Sequence, residues 1–236
     1  NNCAGVLEAA LSGAGGIRIF RIQTAGTTLL DCRFNTIGGP TANSIQCLSS
    51  NSSFVRGIVH NASTSATISD NIIRNLTSNC SIAGTPNLIG IAINSTALQT
   101  ISRNRIYNLT GTTVAAVSTS NVGIQLWTST TTGMVSTIDA NQIHSMEVSN
   151  SSQPVIGIQL VQGLNTCSNN MIRLGLKADG TPMIVACELS GFLDELGTLK
   201  LFNSSVYIGG TGVSTGSAIT AAFKRVNSAA FEVRNN

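Results

Sequence analysis

The chain has 236 residues, 42% of them apolar and only 10% charged, with 13 basic against 10 acidic side chains for a net charge of +3. So sparse a charge, whose closest basic neighbours are Arg103 with Arg105 and Lys224 with Arg225, gives little electrostatic support for binding nucleic acid. No stretch approaches the roughly 20 apolar residues of a membrane helix, and a charged share far below the usual figure of about 25% argues for extracellular β-structure rather than helices.

The chain opens on Asn1-Asn2-Cys3, with neither an initiator methionine nor the charged-then-apolar build of a signal peptide, which suggests processing or excerpting at the true beginning. From there asparagine recurs at Asn2, Asn35, Asn71, Asn104, Asn141, Asn170, Asn203 and Asn236, with gaps of 33, 36, 33, 37, 29, 33 and 33 residues. A period of this length is the signature of a solenoid and predicts one elongated domain over residues 1–236. Four of the asparagines sit in related strings, TISDNII, TISRNRI, TIDANQI and TCSNNMI, each with an apolar residue three before the asparagine and isoleucine two after it. Because Asn2 and Asn236 share one phase of the repeat, the chain is expected to be a window from a longer array, continued by flanking repeats or by copies joined end to end.

A second motif precedes each asparagine. Gly16-Ile17-Arg18-Ile19 is an early copy, followed by Gly57-Ile58-Val59-His60, Gly90-Ile91-Ala92-Ile93, Gly123-Ile124-Gln125-Leu126 and Gly157-Ile158-Gln159-Leu160. Alternation of apolar with variable residues predicts a strand with one buried face, the second and fourth positions pointing inward. The connecting stretches, such as residues 110–122, are rich in turn formers and lack helical periodicity.

Together these features predict an all-β fold, a right-handed parallel β-helix of about seven coils of roughly 33 residues, forming a rod on the order of 34 Å long. The isoleucine column Ile37, Ile73, Ile106, Ile143 and Ile172 lines its interior, and the asparagines form a structural ladder at one corner, where their amides satisfy backbone groups left unpaired by the bend. Cys32 and Cys167 occupy the apolar column and read as small core residues, whereas a disulfide among Cys3, Cys47, Cys80 and Cys187 stays open. Eight Asn-x-Ser/Thr sequons, at Asn51, Asn61, Asn75, Asn79, Asn94, Asn108, Asn150 and Asn203, are close to what composition alone supplies among 23 asparagines.

Candidate chemistry is thin. The six cysteines and two histidines show no metal-ligand spacing, so no metal or cofactor is expected. Asp70 and Arg103 fall on successive coils as a cross-coil ion pair, Asp194-Glu195 reads as a solvated loop in an irregular segment, and His60 as a core histidine with no nucleophile to serve. Three residues after successive asparagines stand Arg74, Tyr107, His144 and Arg173, an outward column suited to a sugar chain or an acidic polymer through stacking and charge.

Residues 201–236 read LFNSSVYIGGTGVSTGSAITAAFKRVNSAAFEVRNN. This resembles a repeat of very long secreted bacterial surface proteins exported with a C-terminal sorting domain, which pair an NSVYIGG-like strand with an AA-aromatic-basic strand and a VRNN corner, here residues 203–210, 221–225 and 233–236. The resemblance implies an extracellular β-helical stalk, filament or adhesin without a reaction of its own. The alternative is a carbohydrate-binding or polysaccharide-cleaving β-helix with its site in the long loops, which an aromatic content of 4% disfavours.

Overall fold

The computed structural model describes residues 2–3, 7–9, 22–26, 29–48, 54–81, 86–113, 119–131, 133–210 and 219–236, with side chains from residue 29 onward. The early Gly16 motif and the sequon at Asn51 lie outside the described residues, as do the side chains of Asn2 and Cys3 and residues 114–118 of the loop at 110–122. Among the described residues there is no helix, and the strands build a parallel β-solenoid of about six turns.

One sheet runs in the order Asn2–Cys3, Thr36–Ile37, Ile72–Ser78, Arg105–Gly111, Gln142–Val148, Met171–Leu174 and Ser205–Ile208, every pairing parallel. The other carries two strands per coil: Val55–Ala62, Pro86–Asn94 and Ser120–Trp127 form one row, and Leu30–Arg33, Ala66–Ser69, Gln99–Ser102 and Val135–Asp139 the second. The rows merge in the long strands Val155–Ser168 and Leu189–Phe202, which continue through the bend, before dividing again as Ala221–Arg225 and Phe231–Arg234.

Parallel stacking brings each repeat position above its counterpart. Ile37, Ile73, Ile106, Ile143 and Ile172 stand in one register, all buried, and Val206 follows them. Facing them is the glycine of the second motif. A methyl group on Gly90 would lie 2.6 Å from the Gly123 carbonyl oxygen and 2.7 Å from the Ile106 γ2-methyl, and Gly57, Gly123, Gly157 and Gly191 are equally confined. The Gly-Ile pair is therefore a packing device: two sheets approach so closely that only hydrogen fits at the glycine. Cys32 and Cys167 fill the core column, buried as expected. The strands of the glycine row are nevertheless covered on both faces, since the third positions Val59, Ala92 and Leu193 are buried in a separate apolar cluster with Ile89, Val122 and Ile156. This corrects the single buried face inferred from alternation and agrees with the general burial of parallel sheets.

The ladder forms through Asn35, Asn71, Asn104, Asn141 and Asn170. Each Oδ1 beyond the first accepts both the backbone N–H and the Nδ2–H of the asparagine one coil earlier; at Asn104 these lie at 3.1 and 2.9 Å. From Asn35 to Asn141 each Nδ2 in turn donates forward to the next Oδ1 and to a backbone carbonyl, for Asn104 the Ile68 oxygen at 2.9 Å, while Asn170 Nδ2 keeps the carbonyl bond alone, to Ile138. Both polar atoms of the Asn104 amide are thus satisfied, which is what permits its burial.

Two expected rungs are displaced by one residue. Asn203 is exposed, and Ser204 takes its place, accepting from Asn170 N at 3.2 Å while its own N–H donates to Asn236 Oδ1 at 2.7 Å. Asn2 pairs with Thr36 and so stands one residue past the ladder position of Asn35. The residue just before each ladder position has positive φ, at Phe34, Asp70, Arg103, Ala140, Asn169, Asn203 and Asn235. Asparagine tolerates this left-handed conformation better than most residues, so it suits either place. A second left-handed corner, at Gly38, Asn75, Asn108, Ser145 and Gly175, ends the short inward segment of the first sheet. Asn75 is buried, and the Asn108 amide donates to Asn75 Oδ1 at 2.8 Å, so these two sequons are corner residues engaged by their neighbours.

Candidate functional site

The strands of the first sheet alternate inward isoleucine with outward side chains, so the third residue after each ladder position projects from the solenoid. Backbone register aligns Arg74, Tyr107, His144 and Arg173 one coil apart, as the spacing implied, and extends the column to Tyr207. Tyr207 was hidden by counting from Asn203; counted from Ser204 it falls in phase.

The column divides into two parts with different chemistry. In its first part the side chains satisfy one another: Arg74 Nη1 donates to Tyr107 Oη at 3.1 Å and its Nε to the Gly38 carbonyl at 3.3 Å. The Tyr107 and His144 rings stack, with centroids 5.0 Å apart and planes within 8°, and the Arg105 guanidinium lies 5.8 Å from the Tyr107 centroid. Burial, reinforced by the positive charges of Arg173 and Arg105, holds the His144 imidazole below its ordinary pKa. A neutral ring is what a parallel aromatic stack accommodates best.

The second part is open. Around Arg173 a shallow groove of about 440 Å³ lies between one wall of His144, Arg173 and Tyr207 and another of Gln142, Met171 and Ser205. Met171 and Tyr207 are 59% and 56% exposed, so their apolar surfaces face the groove mouth rather than the core. Arg173 Nη2 donates to Ser145 Oγ at 3.1 Å and to the Lys177 carbonyl at 3.3 Å, which fixes the guanidinium, while its shielded Nε has no acceptor among the described residues. Lys177 also lies 3.8 Å from Glu147, whose carboxyl is raised by burial against the opposing pull of that lysine.

The remaining candidates serve structure. Arg103 grips Asp70 with two bonds of 2.8 Å, the expected cross-coil pair, and this hydrogen bonding holds the Asp70 carboxyl below its ordinary pKa. His60 is fully buried, its Nε2 2.7 Å from the Thr64 carbonyl. The solvated-loop reading of Asp194-Glu195 is overturned: the segment is the strand Leu189–Phe202, and Asp194 is fully buried in the inward column of Leu126 and Leu160. Arg225, the next residue of that column, places Nε 3.3 Å from Asp194 Oδ2, yet neither carboxylate oxygen meets a donor in good hydrogen-bonding alignment among the described residues. Burial raises the Asp194 pKa, against the lowering influence of Asn227, Arg225 and the Gly197 amide. Cys47 and Cys187 are buried thiols without a disulfide, and burial pushes Cys187 up to about 12. Among the described residues no cluster of three metal-ligating side chains occurs, and no helix is long and apolar enough to cross a membrane.

A scan against protein-family models, a search of curated proteins and a search of solved structures each returned no match.

Proposed function

We propose that this chain is a non-enzymatic scaffold of the extracellular space or cell surface, a stalk, filament or adhesive rod. One observation carries the reading: the residues that recur with the repeat, ladder amide, interior isoleucine and confined glycine, each engage the neighbouring coil, so the repeated sequence serves to join coil to coil. In such a molecule strength accumulates with each added coil. The sparse charge and the resemblance of residues 201–236 to secreted bacterial surface repeats support an extracellular place. Its partners would be flanking repeats, a second copy joined end to end, and surface glycans.

A carbohydrate-binding or polysaccharide-cleaving solenoid is the second reading, favoured by the open groove beside Arg173. Cleavage would require an acid and a base in reach of that groove, and Glu147, the carboxylate on the strand that carries His144, already faces Lys177. Incubating the protein with a panel of polysaccharides and following new reducing ends separates the two. No turnover is expected; turnover abolished by a single substitution in the groove would overturn the scaffold reading.

A further inference from the structure

We infer that the groove centred on Arg173 binds a carboxylated sugar chain lying along the solenoid axis. The inference deepens the binding half of the second reading and is independent of the scaffold role. Three successive coils supply its walls, with outward side chains repeating at about 4.8 Å, so a linear ligand along the axis meets equivalent positions in turn. The order of those positions is distinctive. Coil by coil the lining sets Gln142 beside His144, Met171 beside Arg173 and Ser205 beside Tyr207. A ring with an apolar C–H face and hydroxyl rim suits the two ends, and a carboxylate suits the Arg173 cation between them.

The charge of this face has the required sign. Arg74, Arg105, Arg173 and Lys177 lie on or beside the column, against Glu147 and Asp179, and because His144 is neutral the cation within the groove itself is Arg173. Spacing that places one cation in the groove, flanked by uncharged groups, matches a polymer with separated carboxylates better than a continuous phosphate backbone. The site is also built. Ser145 and Lys177 hold the Arg173 guanidinium in place through its Nη2. Tyr207 lies back over Gly209, where a methyl group would come 2.5 Å from its hydroxyl oxygen, so the glycine sets the angle of the ring.

The test is calorimetric titration of the full chain with an oligosaccharide of glucuronic acid, with the same oligosaccharide after reduction of its carboxylates to alcohols, and with polyglutamate. The acidic sugar is expected to bind at least about tenfold more tightly than either control. Arg173→Ala and Tyr207→Ala should each weaken it about tenfold, Gly209→Ala severalfold through the displaced ring, and Arg74→Ala, which removes the same charge from the closed part of the column, by less than about twofold. Melting curves verify that the variants are folded, and Arg173→Lys, keeping charge and stem but losing the bonds that hold the guanidinium at Ser145 and Lys177, should still weaken binding. Equal loss in Arg74→Ala and Arg173→Ala would reveal diffuse charge attraction and overturn the site; so would equal binding of the reduced sugar or of polyglutamate, or no binding of the acidic sugar. None of these results bears on whether the solenoid is a scaffold.

Discussion

Replacing Asn104 by alanine tests the ladder at its centre. The side chain's Oδ1 accepts from Asn71 N at 3.1 Å and Asn71 Nδ2 at 2.9 Å, and its Nδ2 donates to Asn141 Oδ1 at 3.0 Å and Ile68 O at 2.9 Å. Truncation leaves two buried donors on Asn71 without this acceptor, although Asn71 Nδ2 keeps its bond to the Cys32 carbonyl. At about 1–3 kcal/mol for each orphaned donor, and with some relief from water entering the space, the expected loss is about 3 kcal/mol. For a chain of this size that corresponds to a fall in melting temperature of roughly 6–12 °C. The matched control is Asn203→Gly. Asn203 is exposed with φ 49°, a conformation glycine adopts freely, so its replacement should change stability by less than about 0.5 kcal/mol. Thermal and urea melts of the two variants, with exchange of the Asn71 amide proton followed in parallel, measure both. Equal destabilisation by the two, or an Asn104→Ala loss below about 1 kcal/mol, would refute the assignment of Ser204 and of the buried amides as the rungs.

Three further outcomes follow from the packing. Gly90→Ala forces a methyl group against backbone and the Ile106 side chain and should destabilise by about 2–3 kcal/mol in a urea melt, whereas Gly133→Ala, whose methyl would meet nothing within 4 Å, should show only the smaller cost of its φ of 87°. Asp194 has a raised folded-state pKa, so its contribution is most favourable when protonated and is lost as pH rises through that value. Asp194→Asn should therefore gain on the parent chain as pH is raised from about 4 to about 7, and a difference independent of pH would sink the assignment. Cys187, buried with its thiol near 12, should resist a thiol reagent until the chain unfolds, while rapid labelling of the native protein at neutral pH would contradict its placement.

The fold was legible because the ladder and interior columns repeat residue types that few other positions accept: isoleucine two after asparagine, cysteine or isoleucine three before it. That same rule contained the corrections. Two residues after Asn203 stands Ser205 and two after Asn2 stands Ala4, whereas two after Ser204 stands Val206, which does fall in the isoleucine column. Asparagine alone misled because the corner and the left-handed position before it both suit that residue. Buried Asp194 was legible too: Gly191-Phe192-Leu193-Asp194 repeats the phase of Gly157-Ile158-Gln159-Leu160, disguised by an aspartate where an aliphatic belongs. The groove was only half legible. Spacing gave the column, but which members satisfy each other and which stay open depends on side-chain directions, and the stacking of Tyr107 on His144 has no counterpart in the order of letters.

Because the bonds between one asparagine side chain and the next all run from Nδ2 to the following Oδ1, the row of asparagines has a sense, like an arrow drawn along the rod. A coil that extended this ladder would have to carry the arrow the same way. Two such ladders brought together tip to tip or tail to tail would set hydrogen against hydrogen or lone pair against lone pair, so a filament built from these coils, were one to form, would have to grow head to tail.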